Sequence, residues 1–204
     1  MNFFFIVGTV LLGSVAFAQE PTNNPLQDAY YIINSYHRMY EGTMDNVRFY
    51  LADTGKNIID DCTNIVTDVI AAWDSRKASC PNWTSRNTEA IGAALRDCAN
   101  ICAYAVYDIQ GEVYDETEEM QRYSLSMQTS VMRELREFNI LENYSDFVDH
   151  FVQTVVDEAY DRLEHHYVPR LEDALQAILD AETAQPQQTQ ACVNAISRKF
   201  MAMC

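Results

Sequence analysis

The chain has 204 residues, 48% of them hydrophobic, which is enough for one or two modest domains with a real core and too apolar for intrinsic disorder. Lys and Arg number 14 against 30 Asp and Glu, a formal charge of -16. Phosphate-backbone binding relies on clustered cationic side chains, so nucleic acid is excluded as a partner. Six glycines, two of them before residue 19, are too few for a glycine-rich phosphate loop, a nucleophile elbow or a turn-dense β-sandwich. The class that remains is helical.

Phe3 to Ala18 is apolar and nearly uncharged, closes with Ala16, Phe17 and Ala18, and is followed by the polar Gln19, Glu20 and Pro21. It reads as a cleaved secretory signal over residues 1–18, with the amino group of Met1 supplying the positive charge. A retained membrane anchor is the alternative, but the run falls short of the roughly 20 residues that a spanning helix needs. The mature chain, residues 19–204, is then a single helical domain, secreted and extracellular, with no membrane association after cleavage.

From Leu26 the apolar positions run Leu26, Tyr30, Ile33, His37, Tyr40, Met44, Val47, Leu51, Gly55, Ile58, Cys62, Ile65, Val69 and Ala72. Steps of four and three alternate, except for two successive fours around Leu51 and Gly55, which mark a stutter. One helix of about 50 residues is expected, at about 1.5 Å per residue. A break at Gly42 or Gly55 is the alternative, because glycine weakens a helix interior by about 1 kcal/mol relative to Ala. After the Cys80-Pro81-Asn82 loop a second stripe runs Ile91, Leu95, Cys98, Cys102, Ala105, Ile109, Val113, Met120, Tyr123, Met127, Val131, Leu135 and Phe138. Asn139 to Ser145 interrupts it, with Ser145 placed to cap a third helix. The third stripe is Phe147, Phe151, Val155, Ala159, Leu163, Tyr167, Leu171, Ala174 and Ile178, kinked at Pro169. Gln185 to Gln190 reads as a polar linker, and Cys192, Ile196, Phe200 and Met203 as a short fourth helix. The expected fold is all-α: an elongated antiparallel bundle of three long helices plus a short C-terminal helix, stapled by disulfides at one end.

All six cysteines lie in the mature chain, and an even count behind a signal peptide points to disulfides in an oxidising compartment. Short loops make neighbouring helices antiparallel, so a turn near residue 81 sets Cys62 level with about residue 100. A second turn near residue 142 sets Cys204 level with Cys80 and Cys192 nearest Cys98. The expected pairs are Cys62 with Cys102, Cys98 with Cys192, and Cys80 with Cys204, and the exchange of Cys98 for Cys102 stays open. Asn82-Trp83-Thr84 and Asn143-Tyr144-Ser145 are glycosylation sequons where the helical pattern breaks.

Asp53-Thr54-Gly55 matches the tripeptide of aspartic proteases, but it sits inside a helical stripe with no second copy, so no catalytic site is read there. Asp161 and His165 with Glu158 nearby have metal-ligand spacing, yet a salt-bridged surface is the expected outcome. Carboxylate-bridged metal bundles need Glu-x-x-His motifs, which this chain lacks. His37 and His150 are isolated. Neither a metal nor another cofactor is expected. The acidic run Asp108, Glu112, Asp115, Glu116, Glu118 and Glu119 is expected to form a solvated face, able at low salt to hold cations or dock a basic partner. Twelve tyrosines and eight methionines are expected mainly to fill the core.

Cys98-x3-Cys102 in a six-cysteine helical chain resembles the spacing of the second and third cysteines in insect odorant-binding proteins, which implies carriage of a small apolar ligand. The long stretch from Cys102 to Cys192 departs from that family. The signal-like start, acidic long helices and the Cys192 to Cys204 terminus resemble secreted insect proteins related to the tsetse EP-type domain, which implies an extracellular, non-enzymatic role. The expected function is therefore that of a secreted structural or protein-interaction protein without catalysis. The alternative is an extracellular carrier of a small hydrophobic ligand, in a cavity lined by residues such as Met44, Tyr104 and Tyr160. Long exposed stripes also raise a homodimer as a hypothesis.

Overall fold

A computed structural model of the chain describes residues 25–137, 144–202 and 204. The signal-like segment and Asn143 lie outside them. Among the described residues there is no strand. Helix α1 spans Pro25–Arg76, and a 3-10 turn, Lys77–Ser79, leads into the loop before α2, Ser85–Glu137. The third helical run comprises α3 (Tyr144–Phe151), a π-turn (Val152–Val156), α4 (Asp157–Arg162), a second π-turn (Leu163–Tyr167) and α5 (Val168–Met201). The chain gathers into two compact units, one built from the part up to Arg48 with Val113–Asp173, the other from Phe49–Glu112 with Ala174–Cys204.

Helix α1 is unbroken at both glycines. At Gly55 a reason is visible: a Cβ built there would meet the Gln110 amide nitrogen and lie 2.8 Å from Val106 Cγ1 on α2. The side chains of Val106 and Gln110 already fill the space where a Cβ would stand. Gln110 also donates from Nε2 to the Leu51 carbonyl at 3.1 Å, so it is not free to swing aside. A Cβ at Gly42, Gly92 or Gly111 meets nothing within 4 Å. Gly42→Ala is therefore expected to stabilise the protein by up to about 1 kcal/mol through helix propensity. Gly55→Ala should instead destabilise it by about 1 to 3 kcal/mol through overpacking. Urea titration of the two variants checks the opposite signs, and a gain at Gly55 would contradict the close approach.

In the second unit, α2 runs antiparallel to α1 and α5 around a core of Val66, Trp73, Ile91, Leu95, Cys98, Val193 and Phe200. Cys62 pairs with Cys102, Cys80 with Cys204 and Cys98 with Cys192. These are the pairs that the hairpin heights predict, and all three lie in this unit. In the loop, Trp83 stacks on Trp73 with ring centroids 5.5 Å apart. Thr84 caps α2: its Oγ1 accepts from the Asn87 backbone N–H at 3.3 Å and donates to Asn87 Oδ1 at 2.6 Å, which satisfies one of the orphan donors of the helix start.

Two expectations need correction. Gln185 to Gln190 is not a linker, and the last cysteine-bearing segment is not a separate fourth helix, because α5 runs through Pro186 to Met201. Ala181, Thr189 and Val193 are buried and share one face with Gln185, so packing and the Cys192 bridge outweigh one lost hydrogen bond. Ser145 does not precede the third run but lies in its first turn, since α3 begins at Tyr144.

The π-turns have a cause that is visible in the stripe itself. Phe147, Phe151, Val155, Ala159, Leu163, Tyr167 and Leu171 recur strictly every four residues, and all are buried. At 3.6 residues per turn each such step drifts by about 40° around an α-helix, so the stripe would wander to the solvent side within a few turns. Each wider π-turn absorbs an extra residue and resets the face. Pro169, expected to kink this run, is the second residue after the second π-turn. There the Val168 N–H already bonds back to the Leu163 carbonyl in the π manner.

Candidate functional site

The first unit holds a polar and aromatic centre. Tyr40 of α1, Tyr123 of α2 and Tyr167 of the second π-turn meet with ring centroids 5.9, 6.0 and 6.1 Å apart. The Tyr40 hydroxyl donates to the Ala159 carbonyl at 2.7 Å, and the Arg162 guanidinium lies 4.6 Å from the centre of the Tyr123 ring. Nearby, His37 Nδ1 shares a 2.6 Å hydrogen bond with Ser124 Oγ, and Arg48 Nε donates to Thr117 Oγ1 at 2.9 Å. Thr117 and Ser124 are buried, although the stripe of α2 reads there as interrupted. They continue its four-three alternation through Val113, Thr117, Met120, Ser124 and Met127.

Burial raises all the tyrosines of this centre above the ordinary phenol value, because the charged form is the one that loses solvent. For Tyr40 and Tyr36 it is the main cause, joined at Tyr36 by the Asp157 carboxylate. Tyr123 is pushed up to about 12 by burial and then by Glu158. Tyr167 is raised by burial and by Glu119, with Arg162 opposing. The native state thus holds these protons more tightly than the unfolded chain does. This stability is fully present below the unfolded value near pH 10 and is lost as the pH climbs toward about 12. Ultraviolet titration should show these four phenols ionising only together with loss of helical circular dichroism. Their ionisation with the helical signal intact would contradict this.

At the solvent edge of the same unit, α2 and the second π-turn bring together Glu116, Glu119 and His166, whose ligand atoms all lie within 4.8 Å of one another. Arg170 Nη1 donates to Glu116 Oε1 at 2.7 Å, and His166 Nε2 lies 3.7 Å from Glu119 Oε1. Composition and local spacing do not show this trio, because His166 is separated from the two glutamates by a hairpin. The heights of the second hairpin contain the signal, since they set Glu119 level with about residue 165.

No family model, curated protein or solved structure matches this chain. Its own residues therefore carry the functional interpretation. Asp53 is exposed on α1, within a helix. Asp161 pairs with His165 at 3.8 Å and Glu158 with Arg162 at 3.0 Å, all on exposed side chains, which is the salt-bridged surface expected. Glu116 is half-buried, while Asp108, Glu112, Asp115, Glu118 and Glu119 face solvent. His150 accepts a hydrogen bond at its carbonyl from Thr154. Asn82 is exposed in the loop. Met44 is buried, but Tyr104 and Tyr160 are exposed, so these three do not line a common interior cavity. Three disulfides fit an oxidising environment. Among the described residues no helix is long and apolar enough to cross a membrane.

Proposed function

We propose that this chain is a secreted, non-enzymatic interaction protein whose second helix presents an aromatic and acidic face to a basic protein partner. One observation carries it. Ile101, Tyr104 and Tyr107 are 57%, 66% and 58% exposed, on the side of α2 opposite the buried Cys98, Cys102 and Val106. Large apolar side chains held in water on a rigid helix mark association surfaces, and tyrosine is enriched in them. Asp97, Asp108 and Glu112 flank the stripe, and the chain as a whole carries -16, so a cationic partner is the complementary one. Cys62–Cys102 and Cys98–Cys192 tie this stretch of α2 to its neighbours, which limits the ordering cost of binding.

The likeness to secreted insect proteins of the tsetse EP-type domain, in their start, acidity and terminal cysteines, agrees with this role. Ligand carriage is the weaker alternative, given the exposure of Tyr104 and Tyr160. A photo-crosslinker placed at position 104 should capture one basic protein from native extracellular fluid. Capture should fall at high salt and in an Asp108→Lys, Glu112→Lys variant. Indifference to both, or a lipid recovered by extraction of the native protein, would defeat the proposal. A crosslink to a second copy, with sedimentation at twice the chain mass, would replace the basic partner by a homodimer. Secretion is tested separately: the processed chain in the medium of producing cells should begin at Gln19 and carry a glycan at Asn82 or Asn143, and retention in the membrane fraction would overturn it.

A further inference from the structure

Glu116, Glu119 and His166 belong to the first unit, and none of them is among the residues assigned to partner binding. Among the described residues, Glu116 Oε2 is a buried side-chain oxygen without a hydrogen-bond partner, and it belongs to this trio. Beside it Tyr167, 1% exposed, packs its ring edge-on against His166 with centroids 4.9 Å apart, while Arg162 takes up its hydroxyl. Burying a carboxylate oxygen without a partner is costly, so it calls for something to satisfy it.

We propose that Glu116, Glu119 and His166 bind a single zinc-like divalent cation. The donor set decides the class of ion. One imidazole with two carboxylates suits zinc and its borderline neighbours, whereas calcium and magnesium prefer all-oxygen shells. Arg170 holds Glu116 by Oε1, which leaves Oε2 turned inward and fixed in direction, the orienting role that outer partners play at metal sites. Counting the two carboxylates against Arg170, the site keeps a net negative charge for the incoming cation.

Ligands about 2 Å from a zinc ion lie about 3.4 Å from one another, so donors spread over as much as 4.8 Å must close by a small side-chain rotation. Glu119, half exposed, can make it. Three protein ligands leave the fourth tetrahedral position for water. The π-turn contributes directly. It sets Tyr167 into the core and His166 beside it toward α2, and such turns gather at functional sites.

The test uses the full disulfide-bonded chain and zinc chloride in isothermal titration. Wild type should bind one equivalent and melt at higher temperature with zinc. Affinity should fall at least ten-fold in His166→Asn and in Glu119→Gln, and stay unchanged in His165→Asn, which alters only the neighbouring exposed pair with Asp161. Both informative positions are partly exposed, so either variant suffices if the other misfolds. Cobalt(II) gives an independent measurement on unmodified protein: it should broaden the His166 ring resonances before those of His37, His150 and His165. No zinc binding by wild type, equal affinity in both site variants, calcium binding as tight as zinc, or equal loss in His165→Asn would each overturn the proposal.

Discussion

Replacing Cys98 and Cys192 together with alanine is expected to lower the stability by about 4 kcal/mol and the melting temperature by about 10 °C. The two cysteines are 94 positions apart in the chain. With Cys80–Cys204 intact, however, the ring that they close is only the roughly 30 residues from Cys80 to Cys98 and from Cys192 to Cys204, worth about 3 to 4 kcal/mol of chain entropy. Burial adds to this. Cys98 sits at 1% exposure among Trp73, Ile91, Leu95, Val193 and Phe200, so shortening it also opens space in the core. The Cys80–Cys204 bridge spans 124 positions, yet Cys80 is half-buried and Cys204 exposed. Its loss should mostly fray the last turn of α5. Denaturant titration of the two double-alanine variants gives the ranking. Either variant opens the same ring, so the ranking reads burial, and a larger loss for Cys80 and Cys204 would show that the buried setting of Cys98 does not set the difference.

Phe147→Ala is expected to cost about 3 to 5 kcal/mol, the usual range for an aromatic removed from a core. Phe147 is fully buried, stacks on Phe151 with centroids 5.8 Å apart, and joins Ile33 and Val155 in a small cluster of the first unit. That unit contains none of the three bridges, so no covalent link limits the damage. Hydrogen exchange at the amides of Ile33 and Val155 should accelerate markedly in the variant. Unchanged protection there, or a stability loss below about 1 kcal/mol, would mean that the cluster contributes little and that packing at Tyr40 and Tyr167 holds the unit.

The heptad-like alternation from Leu26 to Ala72 was sufficient to read α1, since glycine weakens a helix by less than a long buried face gains. The cysteine pairs were legible for a related reason: antiparallel helices of equal rise turn sequence positions into heights. Gln185 to Gln190 misled because polarity and Pro186 look like a loop locally, while Thr189 and Val193 lie on a buried face that only the neighbouring helices define. The polar core positions Thr117 and Ser124 were hidden for the same reason. Their partners Arg48 and His37 come from another helix.

Residue order by itself determined the all-α class, the apolar face of α1 and which sulfurs lie level, with the exchange of Cys98 for Cys102 left open, because these depend on period and on distance along rods of known rise. Tertiary structure alone decided that α5 continues through Pro186, that Gly55 lies under Val106 and Gln110, and that His166 faces Glu116 and Glu119 beside a buried phenol. Those outcomes turn on the rotation of each helix about its axis and on the closeness of its neighbours. The two π-turns alter that rotation by a whole residue, and no local pattern of side chains reports which partner they bring into reach.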